Sequence, residues 1–174
     1  MSTVKPFIVL IAFAVLCAGS LHAQTAPKVV AAERLAALLP PAWGKLERRH
    51  VQTDDKPSLT GAPHASAQAI YTLGSTAAFE ASLRIRDDGD IAAGYYKMAA
   101  KYLGEDYRDD TQHSLLLAGG RRAEVTEMGE GILMIETFVA DRFVVSANCS
   151  HATESACEAA LEKFDFAAIA RLKP

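Results

Sequence analysis

The chain has 174 residues, half of them hydrophobic, with 18 Lys and Arg against 21 Asp and Glu and a net charge of −3. That balance argues against a nucleic-acid partner, which wants a basic face, and the length suits one domain with a real core. Aromatic residues make up 7% of the chain and Trp43 is its single tryptophan, which speaks against a stacking groove for sugars.

The chain opens like an export leader. Lys5 gives a positive start, and Phe7 to Ala18 is an unbroken apolar run of signal-peptide length, short of the roughly 20 residues a membrane-spanning helix needs. Leu21-His22-Ala23 places a small residue at the cut, so 1–23 is expected to be removed before Gln24. Leu16 before Cys17 disfavours a lipidated cysteine. The segment 24–174 is then expected to fold as a single domain, exported to a periplasm or secreted.

Val29 to Leu39 predicts a short helix stopped by Pro40-Pro41. A strand follows from Trp43 to Val51, then a long polar loop, QTDDKPSLTGAPHAS. Loops of this length are often functional. Ala67 to Leu73 and Ala78 to Arg86 predict two strands. In the second, Phe79, Ala81, Leu83 and Ile85 point one way and Glu80, Ser82, Arg84 and Arg86 the other, as in a strand with one core face and one wet face. In RDDGDIAAGYYKMAAKYLG the period changes to 3.6, and Ile91, Tyr95, Met98 and Tyr102 form a helical stripe between Asp90 and Gly104.

From Ser114 the pattern is a meander. SLLLA turns at Gly119-Gly120 into RRAEVTEM, Gly129-Glu130-Gly131 leads to ILMIETFV, and Ala140-Asp141 leads to RFVVSANC. Ser155 with Glu158 suggests a capping box for a closing helix, and Asp165 a cap for a last helical piece. The predicted fold class is α+β: a single-layer, mainly antiparallel sheet of about six to seven strands with helices packed on one face.

NCSHATESAC holds Cys149 and Cys157 with His151 between them. An even pair in an exported chain predicts a structural disulfide, worth about 2.5 kcal/mol for so short a loop. A zinc site lacks a fourth ligand, and a redox pair prefers the C-x-x-C spacing.

Nothing else in the sequence assembles a recognisable active site. The acidic clusters Asp87, Asp88, Asp90 and Glu105, Asp106, Asp109, Asp110 fit no EF-hand, and they read as solvated turns. His50, His64, His113 and His151 show no metal-ligand spacing, and no serine lies in G-x-S-x-G. LAGGRR could cradle an anion but reads as a turn. Glu80, Arg84, Arg86, Arg121 and Arg122 form the expected interaction surface, and Tyr95, Tyr96 and Tyr102 a pocket candidate between sheet and helices. No catalytic residue, metal or cofactor is expected.

The succession of strands, middle helix, meander and closing helix resembles the Mog1/PsbP-like class of small exported α+β proteins. LLPPAWGKLE is similar to openings of secreted bacterial proteins. This resemblance implies a fold, with no motif that carries over to a numbered residue, and fold does not imply function. The functional expectation is a non-enzymatic exported domain, a protein-interaction or accessory envelope factor that binds another envelope protein. The alternatives are a small-molecule carrier and a hydrolase with a non-local active site.

Overall fold

The computed structural model describes residues 28–57, 62–72, 81–89 and 111–174. Eight strands form one antiparallel sheet: β1 (Ala42–Trp43), β2 (Leu46–Asp54), β3 (Ala65–Thr72), β4 (Ala81–Asp87), β5 (Gln112–Leu116), β6 (Arg122–Glu127), β7 (Ile132–Val139) and β8 (Phe143–Ser150). Their order is β1-β2-β3-β4-β8-β7-β6-β5. Two meanders of four strands thus meet at the β4–β8 seam, where Leu83 opposes Ala147 and Ile85 opposes Val145. Among the described residues, helix is confined to α1 (Ala32–Ala36), α2 (Glu154–Leu161) and α3 (Phe166–Ala170).

This corrects the expected fold class of six to seven strands with helices packed on one face. Among the described residues the protein is mostly sheet, with eight strands and three short helices. The extra strand comes from Gly44, whose φ of +57° is open to glycine at no steric cost. It folds β1 back on β2, so that Trp43 pairs with Leu46. The first helix is five residues rather than eleven. Its Ala31 cap offers no side-chain acceptor, and Leu38 and Leu39 already bond three residues back, in a tighter turn that ends at Pro40-Pro41. So short a helix is unstable alone and persists through packing. The helix expected over 91–103 lies outside the described residues.

Register sorts the side chains onto two faces. Val51, Ala69, Leu83, Ala147, Ile135 and Val125 are successive cross-strand partners, and direct partners share a face. Except for half-exposed Val51, all of these are fully buried. Ala65, Ala67 and Ala69 alternate on β3 with no exposure, and Leu35 and Val30 bury into the same core. The three small residues suit close approach of α1 to β3. Leu161, Phe164 and Ile169 join that core from the C-terminal end. Tyr71 is buried there too, its hydroxyl donating to the Pro40 carbonyl at 2.6 Å. Burial pushes its pKa up to about 12, with nearby Arg48 pulling the other way.

Cys149 at the end of β8 and Cys157 in α2 are joined by a disulfide, with Cα atoms 5.9 Å apart and both residues fully buried. NCSHATESAC is therefore a staple. The cap of α2 is Thr153, which accepts from the Ala156 N–H, rather than Ser155. Asp165 caps α3 by accepting from Ala168.

Asp87 departs furthest from its sequence reading. It is fully buried, not a solvated turn residue. Its carboxylate accepts from the Val30 and Gly89 N–H groups at 2.7 and 2.9 Å, and from Arg142 Nε and Nη2 at 2.9 and 2.8 Å. Arg142 Nη2 also donates to the Lys28 carbonyl. A satisfied buried carboxylate thus binds the N-terminal segment, the end of β4 and the β7–β8 turn together.

Candidate functional site

The second face of the sheet is polar. Gln52 opposes Gln68, Gln68 opposes Arg84, Arg84 opposes Ser146, Ser146 opposes Glu136, Glu136 opposes Glu124, and Glu124 opposes Ser114. By cross-strand parity these side chains form one row over every strand from β2 to β5 in sheet order. A neighbouring row runs through Asp54, Ser66, Arg86, Val144 and Phe138. The face is not simply wet: Ser66, Ser82 and Ser146 are buried, and Arg84, Arg86, Glu124 and Glu136 are half-buried.

Burial sets the electrostatics of this face. It pulls the Arg84 guanidinium below its ordinary range, aided by the adjacent Arg86 and opposed by Asp88, Glu136 and Asp54. It pushes Glu136 above the usual carboxylate range. Glu124 adds to that rise, while Arg86 and Arg84 oppose it. Arg84 and Glu136 sit two strands apart with Ser146 between, about 10 Å at the backbone, so their charges interact without a direct pair.

One corner gathers further groups. His64 Nδ1 lies 2.8 Å from Asp88 Oδ1, and Arg86 Nε lies 2.7 Å from Asp88 Oδ2. An aspartate that orients a histidine is one part of a nucleophilic site, but no hydroxyl or thiol of the described residues hydrogen-bonds His64. Beside this corner lies a groove of about 440 Å³, lined by Gln52, Thr53, Asp54, Asp55, Lys56, Ser66, Gln68 and Arg84. The β2–β3–β4 register puts Gln52, Gln68 and Arg84 side by side along it. Arg84 Nη2 lies 3.3 Å from Ser66 Oγ, and its buried Nε has no acceptor among the described residues.

No family model matches the chain, and no curated protein or solved structure matches it.

The expected interaction residues do not all converge. Arg84 and Arg86 lie on the polar face, and parity with Thr137 and Ala123 puts Arg122 there as well, three strands from Arg86 and about 14 Å away. Arg121 is turned toward the helices: its guanidinium stacks 4.6 Å from the Phe166 ring centroid, and its Nη1 donates to the Phe138 carbonyl. Glu80 and the pocket candidates Tyr95, Tyr96 and Tyr102 lie outside the described residues. So do Asp90, Glu105, Asp106, Asp109 and Asp110 of the acidic clusters. Among the described residues no group of three or more His, Cys, Asp or Glu could hold a metal ion.

The other histidines are local. His113 Nε2 lies 2.9 Å from Glu154 Oε2. His151 is exposed at a φ of +55° and packs against Gly131, where a Cβ would come within 3.1 Å of His151 Nδ1. At LAGGRR the Leu117 N–H bonds the Arg121 carbonyl, and the Ala118 N–H already takes a carboxylate, that of Glu162. Sequence reasoning missed Glu136 and the groove. The signal for Glu136 was a charge inside the apolar run ILMIETFV.

Proposed function

We propose that this chain is an exported, non-catalytic binding domain that meets a protein partner through the polar face of its sheet. The observation that carries the reading is the row from Gln52 to Ser114, with Arg84 and Glu136 half-buried at its middle. Half-buried charges give a sheet little net stability. On a docking surface, mixed charges steer the encounter and select the partner. The apolar leader and the disulfide support maturation outside a reducing cytosol.

The test is site-specific photo-crosslinking in cells. A photoreactive residue at Gln68 or Glu124 should capture one discrete partner, and the same residue at Lys163, on the helix side, should capture none. Equal capture at all three positions, or none at any, would refute the reading. Two free thiols per molecule in unreduced material would remove the export part.

A second reading is a carrier of a polar small molecule, favoured by a groove within the size range of ligand sites. That groove lies on the polar face, not between sheet and helices. Native mass spectrometry of freshly purified protein should show a ligand-mass adduct if this reading holds, and bare chain if it does not.

A further inference from the structure

Arg142 shows how this chain grips a carboxylate: its Nε and Nη2 lie 2.9 and 2.8 Å from the two oxygens of Asp87. Arg84 carries the same two-atom donor edge at the floor of the polar groove. Among the described residues its Nη2 makes one long contact, 3.3 Å to Ser66 Oγ, and its buried Nε has no acceptor. An unpaired buried donor on a cation is costly, and a planar oxyanion is the group that fits a guanidinium edge with two bonds. Asp88, Glu136 and Asp54 act on Arg84 through their fields, without supplying that acceptor. The rim has the opposite character, with exposed Asp54 and Asp55 beside Lys56.

From a positive floor and a rim rich in carboxylate, we infer that Arg84 receives a carboxylate from a partner segment in which one acidic side chain is flanked by basic ones. The inference rests on the docking reading above and specifies its chemistry. In the bound state the carboxylate replaces Ser66 Oγ at Nη2, and a change of side-chain rotamer turns the Nε edge, buried in the free protein, out to meet it. The flanking cations face Asp54 and Asp55. Gln52 and Gln68, side by side across β2 and β3, supply amide groups along the same wall.

The experiment is an NMR titration of the purified, ¹⁵N-labelled protein at fixed ionic strength. The probes are the peptide acetyl-Gly-Lys-Glu-Lys-Gly-amide and its Gln counterpart. The Glu peptide should shift the Arg84 Nε–Hε signal and the amides of Thr53, Ser66 and Gln68 saturably, and the Gln peptide should bind at least about tenfold more weakly. Arg84→Gln should abolish the response. Arg84→Lys keeps the charge without the fork and should weaken binding about tenfold, which preserves the comparison if Arg84→Gln perturbs the fold. No saturable shift at Arg84, or equal binding of both peptides, overturns the inference. Tighter binding of succinate than of the Glu peptide assigns the site to a free dicarboxylate and overturns the partner source. Polar-face crosslinking that survives in Arg84→Gln keeps the docking reading and rejects the carboxylate anchor. Absence of capture in the native protein rejects the docking reading itself.

Discussion

Replacing Arg142 by alanine should be among the most damaging single changes in the described residues. The Asp87 carboxylate is fully buried and accepts four hydrogen bonds, two of them from Arg142, whose side chain is 18% exposed. Arg142→Ala leaves that charge inside with the Val30 and Gly89 N–H groups alone. Breaking a buried pair on one side costs about 3–5 kcal/mol, a fifth or more of the roughly 5–15 kcal/mol that holds a domain together. Arg142→Lys keeps a cation but loses the two-point fork and should cost about half as much. The double variant Asp87→Leu/Arg142→Met removes both charges and should be less destabilised than Arg142→Ala, because an apolar pair can replace a buried ion pair at little cost. The assay is equilibrium urea unfolding with the disulfide intact, comparing midpoints at unchanged slope. A loss below about 1 kcal/mol for Arg142→Ala, or additive effects in the double variant, would refute the reasoning.

Three other outcomes are expected. Reduction of the Cys149–Cys157 bond, or Cys149→Ala/Cys157→Ala, should lower stability by about 2–3 kcal/mol in urea melts, since the closed loop is short. The Tyr71 hydroxyl ionises near pH 12 in the fold against 10.0 when unperturbed. Its contribution is therefore complete below pH 10 and is lost as pH rises through 12, by about 2–3 kcal/mol; Tyr71→Phe should remove that part of the alkaline decline in a pH series of melts. In the β7–β8 turn Ala140 and Asp141 both adopt positive φ, 55° and 53°, and Arg142 N–H bonds the Val139 carbonyl. These are the φ signs of a type I′ turn, which favours Asn-Gly. Ala140→Asn/Asp141→Gly should raise stability by about 1 kcal/mol, or 2–4 °C in Tm by calorimetry.

Much of the sheet was legible because period-2 alternation survives in single strands. Leu83 and Ile85 on one side and Ser82, Arg84 and Arg86 on the other follow from β4 alone, and the meander from Ser114 was bounded by its glycines. The same parity places Asp87 in line with Leu83 and Ile85. It was nonetheless grouped with Asp88 and Asp90 as a turn, because the partners that make burial tolerable, Val30 and Arg142, lie far away in sequence. The strand count failed at β1 because two residues have no period. The polar row could not be read at all: alternation gives the face of each strand, but only register says that Gln52, Gln68 and Arg84 stand side by side. Pairing Cys149 with Cys157 needed no geometry, since the third cysteine, Cys17, lies in the apolar run read as an expected leader.

The position of the last strand has a consequence for biogenesis. A chain made from its N-terminus completes Asp87 55 residues before Arg142, so β4 must wait with a bare rim of N–H and C=O groups until β8 arrives beside it. Such a rim invites pairing with other chains. Because β8 then lies in the interior of the sheet, losing the end of the polypeptide would split the layer down its centre instead of trimming its border.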